Sequence, residues 1–473
     1  MTERIPDDRL TEDESDSDLI GDPFGLTPEL EESVVEALDF SDVNRARELV
    51  LPLHPADIAD LLEHLHADYR QMLLQALGDD LHPDTLSELD ETVRDALVED
   101  MPTEVLAEVV ASMDTDDAVD FIEEWNEDEQ RELLDALPAT DRSLIEEAFT
   151  YPEDSAGRMM QRKVVTVPSF WTVGHTIDFL RDTADEDDNK LPEVFYNIFV
   201  VSPVHTPEGA ITLSRLLRSK RSIRVTEIMN TQVTIVPVGM DQEEVAHLFR
   251  QRDLVSAPVV DASGRLVGAI TVDDVVDVIH EEHEEDIMRL GGVAETDLYE
   301  AVIDTTKARF SWLVVNLATA IVASLVIGLF EATLEQVVAL AVLMPIVASM
   351  GGNAGTQTLT VTVRALATKE LTPTNAFRVM GKELMVGGIN GLLFAVLAGV
   401  VAWVWFQNPL IGAVIATAMV INMIAAGFAG TAIPLLLERY RVDPAIASGV
   451  FLTTVTDVVG FAAFLGLAAW FVL

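Results

Sequence analysis

The stretch Pro345-Ile346-Val347-Ala348-Ser349-Met350-Gly351-Gly352-Asn353-Ala354-Gly355-Thr356-Gln357 lies inside an apolar run long enough to cross a bilayer. It nevertheless holds residues poorly suited to an unbroken helix. Proline removes a backbone donor, three glycines in five positions loosen the chain, and Asn353, Thr356 and Gln357 bring polar groups to membrane depth. Hydrocarbon tolerates irregular backbone only where it is packed in protein or lines a wet cavity. Two readings follow: a structural kink with close helix packing at Gly351-Gly352, or a break that lines a cation route.

Working outward, five apolar segments are found at about 311–330, 337–363, 383–406, 409–437 and 444–472, each with the roughly 20 residues that a spanning helix needs. Trp312, Trp403, Trp405 and Trp470 fall near segment ends, as interfacial anchors do. Lys307 and Arg309 precede the first span, Arg364, Lys369, Arg378 and Lys382 join the second to the third, and Arg439 and Arg441 join the fourth to the fifth. The positive-inside rule then predicts a cytoplasmic N-terminal half and an outside C-terminus. One carboxylate lies deep. Asp457 is 14 residues past Asp443, about 20 Å along a helix. Such a group usually faces a polar pathway. Thr453, Thr454 and Thr456 surround it with hydroxyls, whereas for Asn422 and Asn316 a hydrogen bond between helices competes with a pathway role. Together, Asp457 and the amides of Asn353 and Gln357 favour the cation route. A wide, carboxylate-lined path suits Mg²⁺, which gives up its waters reluctantly.

Charge divides the chain sharply. Of 80 acidic and 30 basic residues, seven and six follow Ser311, leaving 73 and 24 before it. Only six basic residues are lysine, a pattern consistent with a salt-rich cytoplasm or with cation-binding carboxylates. A field of this sign repels phosphates and disfavours nucleic acid. The absence of cysteine excludes disulfides and thiolate metal sites. Residues 1–25 read as a disordered acidic tail with no signal peptide.

Residues 26–150 show helical spacing in short segments punctuated by Pro or Asp, as at His54-Pro55-Ala56-Asp57 and Met101-Pro102-Thr103-Glu104. Proline in a first turn starts a helix cleanly, and serial short helices predict a solenoid-like domain. The pattern then becomes β-α-β and repeats: Val164-Val165-Thr166-Val167-Pro168 returns as Val233-Thr234-Ile235-Val236-Pro237, and Gly-Ala-Ile-Thr stands at 209–212 and 268–271. These copies resemble a tandem pair of CBS domains, at 157–219 and 220–280. In that fold Gly-x-x-Thr-x-x-Asp often holds a nucleotide, which points to Gly268, Thr271 and Asp274 as a single candidate ATP site. The first copy has Arg215 where the Asp is expected.

The second copy runs into an acidic connecting region, 281–310. Asp277, Glu281, Glu284 and Glu285 share one side of a helix and repel one another unless hard cations sit between them; a salt-adapted surface helix is the alternative. His280 and His283 are read as solvated. A helical stretch is expected from Asp297 to Arg309, before the transmembrane domain at 311–473.

This order of parts, a multidomain membrane protein with a helical N domain, α/β tandem CBS domains, a connecting helix and five spans, resembles the MgtE family of magnesium channels across residues 30–473. Its most specific signature is Pro345-x-x-Ala348-x-x-Gly351-Gly352-Asn353-x-Gly355-x-Gln357, supported by Asp443-Pro444-Ala445 and Thr456-Asp457-Val458. The resemblance implies a plasma-membrane homodimer, not an enzyme. Its pore would lie on the two-fold axis between the second and fifth spans, with Asp457 selecting hydrated Mg²⁺ beside Pro345, Gly351, Gly352, Asn353, Gly355, Gln357 and Thr454. It also implies Mg²⁺ sensing by Glu243, Asp253, Asp274, Asp277, Glu282, Glu285 and Asp286, with Asp116 and Asp117 from the N domain. Bound Mg²⁺ would hold the connecting "plug" helix closed, and repulsion would open the pore when Mg²⁺ is scarce. Gly449 departs from relatives that carry Asn at that position. An ion-coupled secondary transporter and a membrane-anchored Mg²⁺ or nucleotide sensor are the alternatives.

Overall fold

The computed structural model describes residues 25–98, 101–123, 125–184, 191–192, 194–293 and 302–471. The expected acidic tail and residues 297–301 of the expected connecting stretch lie outside them. The chain forms two compact units, Met1–Val278 and Ile279–Leu473.

The first unit opens with short helices running from Pro28–Asp39 to Ala139–Ala148. Thr27 caps the first helix and places Pro28 in its opening turn, and His54 does the same for Pro55–His64. Pro102 and Pro138 instead take the cap positions themselves. Helices pack on their next-but-one neighbours: Thr103–Ser112 on Glu127–Ala136, and Thr115–Glu123 on Ala139–Ala148. This is the stacking of a solenoid. Its core holds Leu61, Leu62, Phe121, Ile122 and Ile145, all fully buried, and the guanidinium of Arg94 lies 5.3 Å from the Phe121 ring centre.

Two three-stranded sheets follow. In the first, β1 (Thr166–Pro168) pairs parallel with β2 (Asn197–Val201), which pairs antiparallel with β3 (Pro207–Thr212); β4 (Val236–Pro237), β5 (Ser256–Val260) and β6 (Leu266–Thr271) repeat this order. Helices Val173–Ala184 and Gln242–Arg252 make the crossovers. The copies share an apolar seam of Phe199, Val201, Leu266 and Ala269. The duplication extends to detail: a Cβ at Gly209 would stand 2.7 Å from Met229 Sδ, and one at Gly268 2.6 Å from Met160 Sδ.

A long helix, Val272–Gly291, leaves the second copy. Among its described residues the second unit contains five helices long and apolar enough to span a membrane: Val302–Gly328, Ala339–Ala367, Ala376–Phe406, Pro409–Arg439 and Pro444–Phe471. Residues 302–309 are helical and continue directly into the first span. The fourth is the most enclosed, with 56% of its apolar window buried against 6% for the first. It packs on the second, third and fifth.

The expected break at Pro345–Gln357 is absent. The second span is one helix, Ala339–Ala367, with Pro345 inside it. Proline removes only a single backbone bond. In the turns that follow, the glycines meet neighbouring spans closely, and such contacts in a membrane override low helix propensity. A Cβ at Gly355 would stand 2.8 Å from Leu452, and one at Gly430 of the fourth span 2.8 Å from the Gly355 carbonyl oxygen.

Candidate ion pathway and acidic cluster

The second span has two unlike faces. Gly351, Gly355, Thr358, Leu359, Thr362 and Val363 are buried in the bundle, whereas Asn353, Thr356, Gln357 and Thr360 are exposed on this chain. Gly351 and Gly355, expected on the pathway, are therefore packing positions. Gly352 faces open space, where a Cβ would meet nothing within 4 Å. Asn353 Nδ2 donates to Ser349 Oγ at 3.3 Å.

Two contacts fix the height of the fifth span. Gly351 and Gly460 flank the same side chain, Asn422, and Gly355 meets Leu452. The helices thus run antiparallel, and Asp457, between Leu452 and Gly460, lies level with the turn Gly351–Gly355. Asp457 is half-buried and has no hydrogen-bond or ion-pair partner among the described residues. Its neighbours do not serve it. Thr453 and Thr454 donate to the carbonyls of Gly449 and Val450 at 2.7 and 2.8 Å, and Thr456 donates to Leu452. Thr454, expected on the pathway, therefore has its hydroxyl proton occupied by its own helix. Asn422 makes the expected bond between helices, to the Val347 carbonyl at 2.9 Å. Asn316 makes no such bond among the described residues, and its side chain is exposed on the first span.

In the first unit the helix Thr115–Glu123 brings Asp116 and Asp117 to Asp274, near the start of Val272–Gly291. Asp116 is buried, and its Oδ1 has no hydrogen-bond partner among the described residues. Burial first, and then the carboxylates of Asp274, Asp117 and Asp114, hold its carboxyl well above the usual range. Asp117 keeps solvent-exposed surface and is pushed up to about 7 by desolvation and then by Asp114, Asp274, Asp84 and Asp120. Asp274 is raised by burial, but less far, because Thr271 N and Oγ1 donate to its Oδ2 at 3.0 and 2.7 Å. Hard oxygen donors, one of them orphaned, fit a divalent cation. Even so, among the described residues no three acidic or imidazole side chains already converge as a metal cage.

A titration follows from these shifts. Acids raised in the folded state hold protons that the unfolded chain has released, so stability falls as pH climbs from the ordinary carboxylate range, 3.8, through about 7. Each extra proton held on a buried group such as Asp116 steepens that fall, whereas the exposed surface of Asp117 lets solvent screen its share. Thermal melts of the full chain between pH 4 and 8 are expected to show this fall without divalent ions. Saturating Mg²⁺ should flatten it; an equal slope with and without Mg²⁺ would count against cation binding at the cluster.

Other expected ligands are dispersed. Glu243 lies in the first turn of Gln242–Arg252, where its N–H bonds Asp241 Oδ1, and exposed Asp253 closes that helix with φ of 51°. Exposed Asp277 stands near one turn past Asp274, and Glu282 is half-buried further along the same helix. Glu285 pairs with Arg289, whose Nη1 also donates to Asp443 Oδ2 at 2.7 Å. Burial and then Asp443 raise Asp286. Leu290 packs on Leu359, Val363, Ala429, Ala445 and Leu452. Asp443 was legible in sequence only as part of a supporting motif, and its pairing with Arg289 was not. Gly268 is required by Met160, so of the nucleotide pattern only Thr271 and Asp274 present polar groups together.

Comparison with known proteins decides the family. Residues 344–467 match the family model of the MgtE divalent cation transporters, 53–154 the MgtE intracellular N domain and 225–281 the CBS domain. The magnesium transporter MgtE of Thermus thermophilus is 35% identical over 443 residues, 92% of this chain and 97% of that protein. The chain belongs to the MgtE family. The MgtE of Bacillus subtilis is 30% identical over 432 residues, covering 90% of this chain and 94% of its own length. Among solved structures, the cytosolic domain of the Mg²⁺ channel MgtE in complex with ATP is 34% identical and aligns over 52% of this chain and 99% of that one, with a TM-score of 0.48. The family assignment agrees with the membership expected from the signature at 345–357, although the backbone carrying that signature is an unbroken helix.

Proposed function

We propose that this MgtE-family chain is a Mg²⁺-selective channel for magnesium uptake, closed by cytoplasmic Mg²⁺. One observation carries the reading: a partnerless carboxylate, Asp457, stands at membrane depth, level with a helix whose outward face bears Asn353 and Gln357. Polar groups at that depth are not left against lipid. They need water and a second wall, which a second copy of the chain supplies if the pore lies on the two-fold axis of a homodimer. Asp457 then meets the hydrated ion, and the amides of Asn353 and Gln357 contact its water shell.

The acidic cluster supports the regulatory half. Asp116, Asp117 and Asp274 repel one another when bare; a bound cation removes the repulsion and favours the arrangement that holds them together, a population shift driven by differential affinity. Asp286 and Asp443 offer a second acidic pair in the other unit. Thr271 and Asp274 are the residues that would meet ATP. The N-terminal half faces the cytoplasm, as the basic loops imply.

Planar-bilayer recording of the purified protein is the test. Unitary Mg²⁺ currents that vanish as Mg²⁺ rises on the N-terminal side are expected. Flux without unitary currents would establish an ion-coupled transporter instead, and Mg²⁺ binding with no flux a membrane-anchored sensor.

A further inference from the structure

The fourth span carries Asn422, fully buried, at the place where the second and fifth spans each present a glycine. A Cβ at Gly351 would stand 2.1 Å from Asn422 Nδ2, and one at Gly460 would stand 2.7 Å from the same atom. The Nδ2 donates to the Val347 carbonyl, which in a regular helix also faces the N–H of Gly351. The other end of the amide, Oδ1, is buried without a donor among the described residues. Turning the amide over would set its oxygen against the Val347 oxygen, so the acceptor fixes the orientation. An orphaned acceptor weakens the fold, and an apolar side chain at 422 would avoid that penalty. Adhesion between helices is thus a poor account of this amide.

We infer that Asn422 is a positioning residue: a spacer that holds the second and fifth spans of one copy at a fixed separation and height, and so sets how far apart Asp457 and the Gly352-Asn353 turn stand on the wall that each copy gives to the passage. This rests on the proposed pore walls. The leverage is direct, because Val347 is one turn from Gly351 on one wall and Asp457 is close to one turn from Gly460 on the other. Width selects among divalent ions. A wide passage admits Mg²⁺ with its waters, whereas a narrowed one penalises the ion that dehydrates most reluctantly.

The test joins a packing measurement to a selectivity measurement. Gly351→Ala alone places a methyl on the Asn422 amide and should lower the melting temperature; in an Asn422→Ala background the same change should be neutral or stabilising. In proteoliposomes, Asn422→Ala is expected to lower Mg²⁺ flux at least fivefold and Mn²⁺ flux less, so that the Mg²⁺/Mn²⁺ ratio falls. Additive melting shifts for the two substitutions would overturn the spacer, as would an unchanged ratio in a well-folded Asn422→Ala protein. Should wild type pass neither ion, the pore reading fails, and the melting-temperature coupling still decides whether Asn422 sets the helix spacing.

Discussion

Replacing Asp457 by alanine is expected to reduce Mg²⁺ flux into proteoliposomes at least a hundredfold, about 2.7 kcal/mol of lost barrier stabilisation. In cells lacking their own Mg²⁺ uptake the variant should not restore growth at low Mg²⁺. Asparagine keeps the size and loses only the charge, so Asp457→Asn should fall nearly as far; glutamate keeps the charge on a longer arm and should retain part of the flux. Folding and function separate cleanly at this position. Asp457 has no partner among the described residues, so its removal orphans nothing, and a buried carboxylate in a membrane costs about 2.5–3.5 kcal/mol on insertion scales. Both neutral variants should therefore melt no lower than wild type. Full growth rescue by Asp457→Ala would sink the assignment.

The second large effect concerns the response to Mg²⁺. A ligand bound only by the folded arrangement stabilises it by about 2.7 kcal/mol at a hundred times its dissociation constant. For Asp116→Asn we expect less than about 1 kcal/mol over the same Mg²⁺ range. The reason is local: Asp116 brings the orphaned Oδ1 and the strongest carboxyl crowding to the cluster. Its amide replacement should be more stable than wild type in Mg²⁺-free buffer, because burial no longer opposes a charge. Limited proteolysis across a Mg²⁺ series, at constant high KCl, reads both changes. Asp274→Asn should add little to Asp116→Asn, since both act on one site. Protection that depends on KCl as strongly as on Mg²⁺ would assign these carboxylates to solubility.

Much of this architecture was legible because its signals are local. Span length, the repeated strand pattern and the prolines that open the N-domain helices each lie within a few residues. Asp457 was legible for the opposite reason, as a charge where none is tolerated idly. What could not be read was which partner each residue would meet. The stretch 345–357 looked broken because propensity is a property of neighbours in sequence, whereas Gly351 answers to Asn422, and Gly355 to Leu452 and Gly430. Asn422 bonds a carbonyl 75 positions away, and Arg289 finds Asp443 at a separation of 154. Likewise Gly268, which fits a nucleotide pattern, is fixed by Met160, and Asp274 answers to a helix more than a hundred positions upstream. The expected ligands Glu243 and Asp253 are carried over by motif position, and the carboxylates that act on Asp116 are Asp274, Asp117 and Asp114.

Asp443 uses its two oxygens for different masters: Oδ1 accepts the N–H of Ala445 at the start of the fifth span, and Oδ2 accepts Arg289. The helix that begins there is uninterrupted over 28 residues, about 40 Å at helical rise. Asp443 would then work as the handle of a pushrod. In the gating proposed above, a displacement at Arg289 would reach Asp457 as a shift of the whole helix, with no relay of side chains in between.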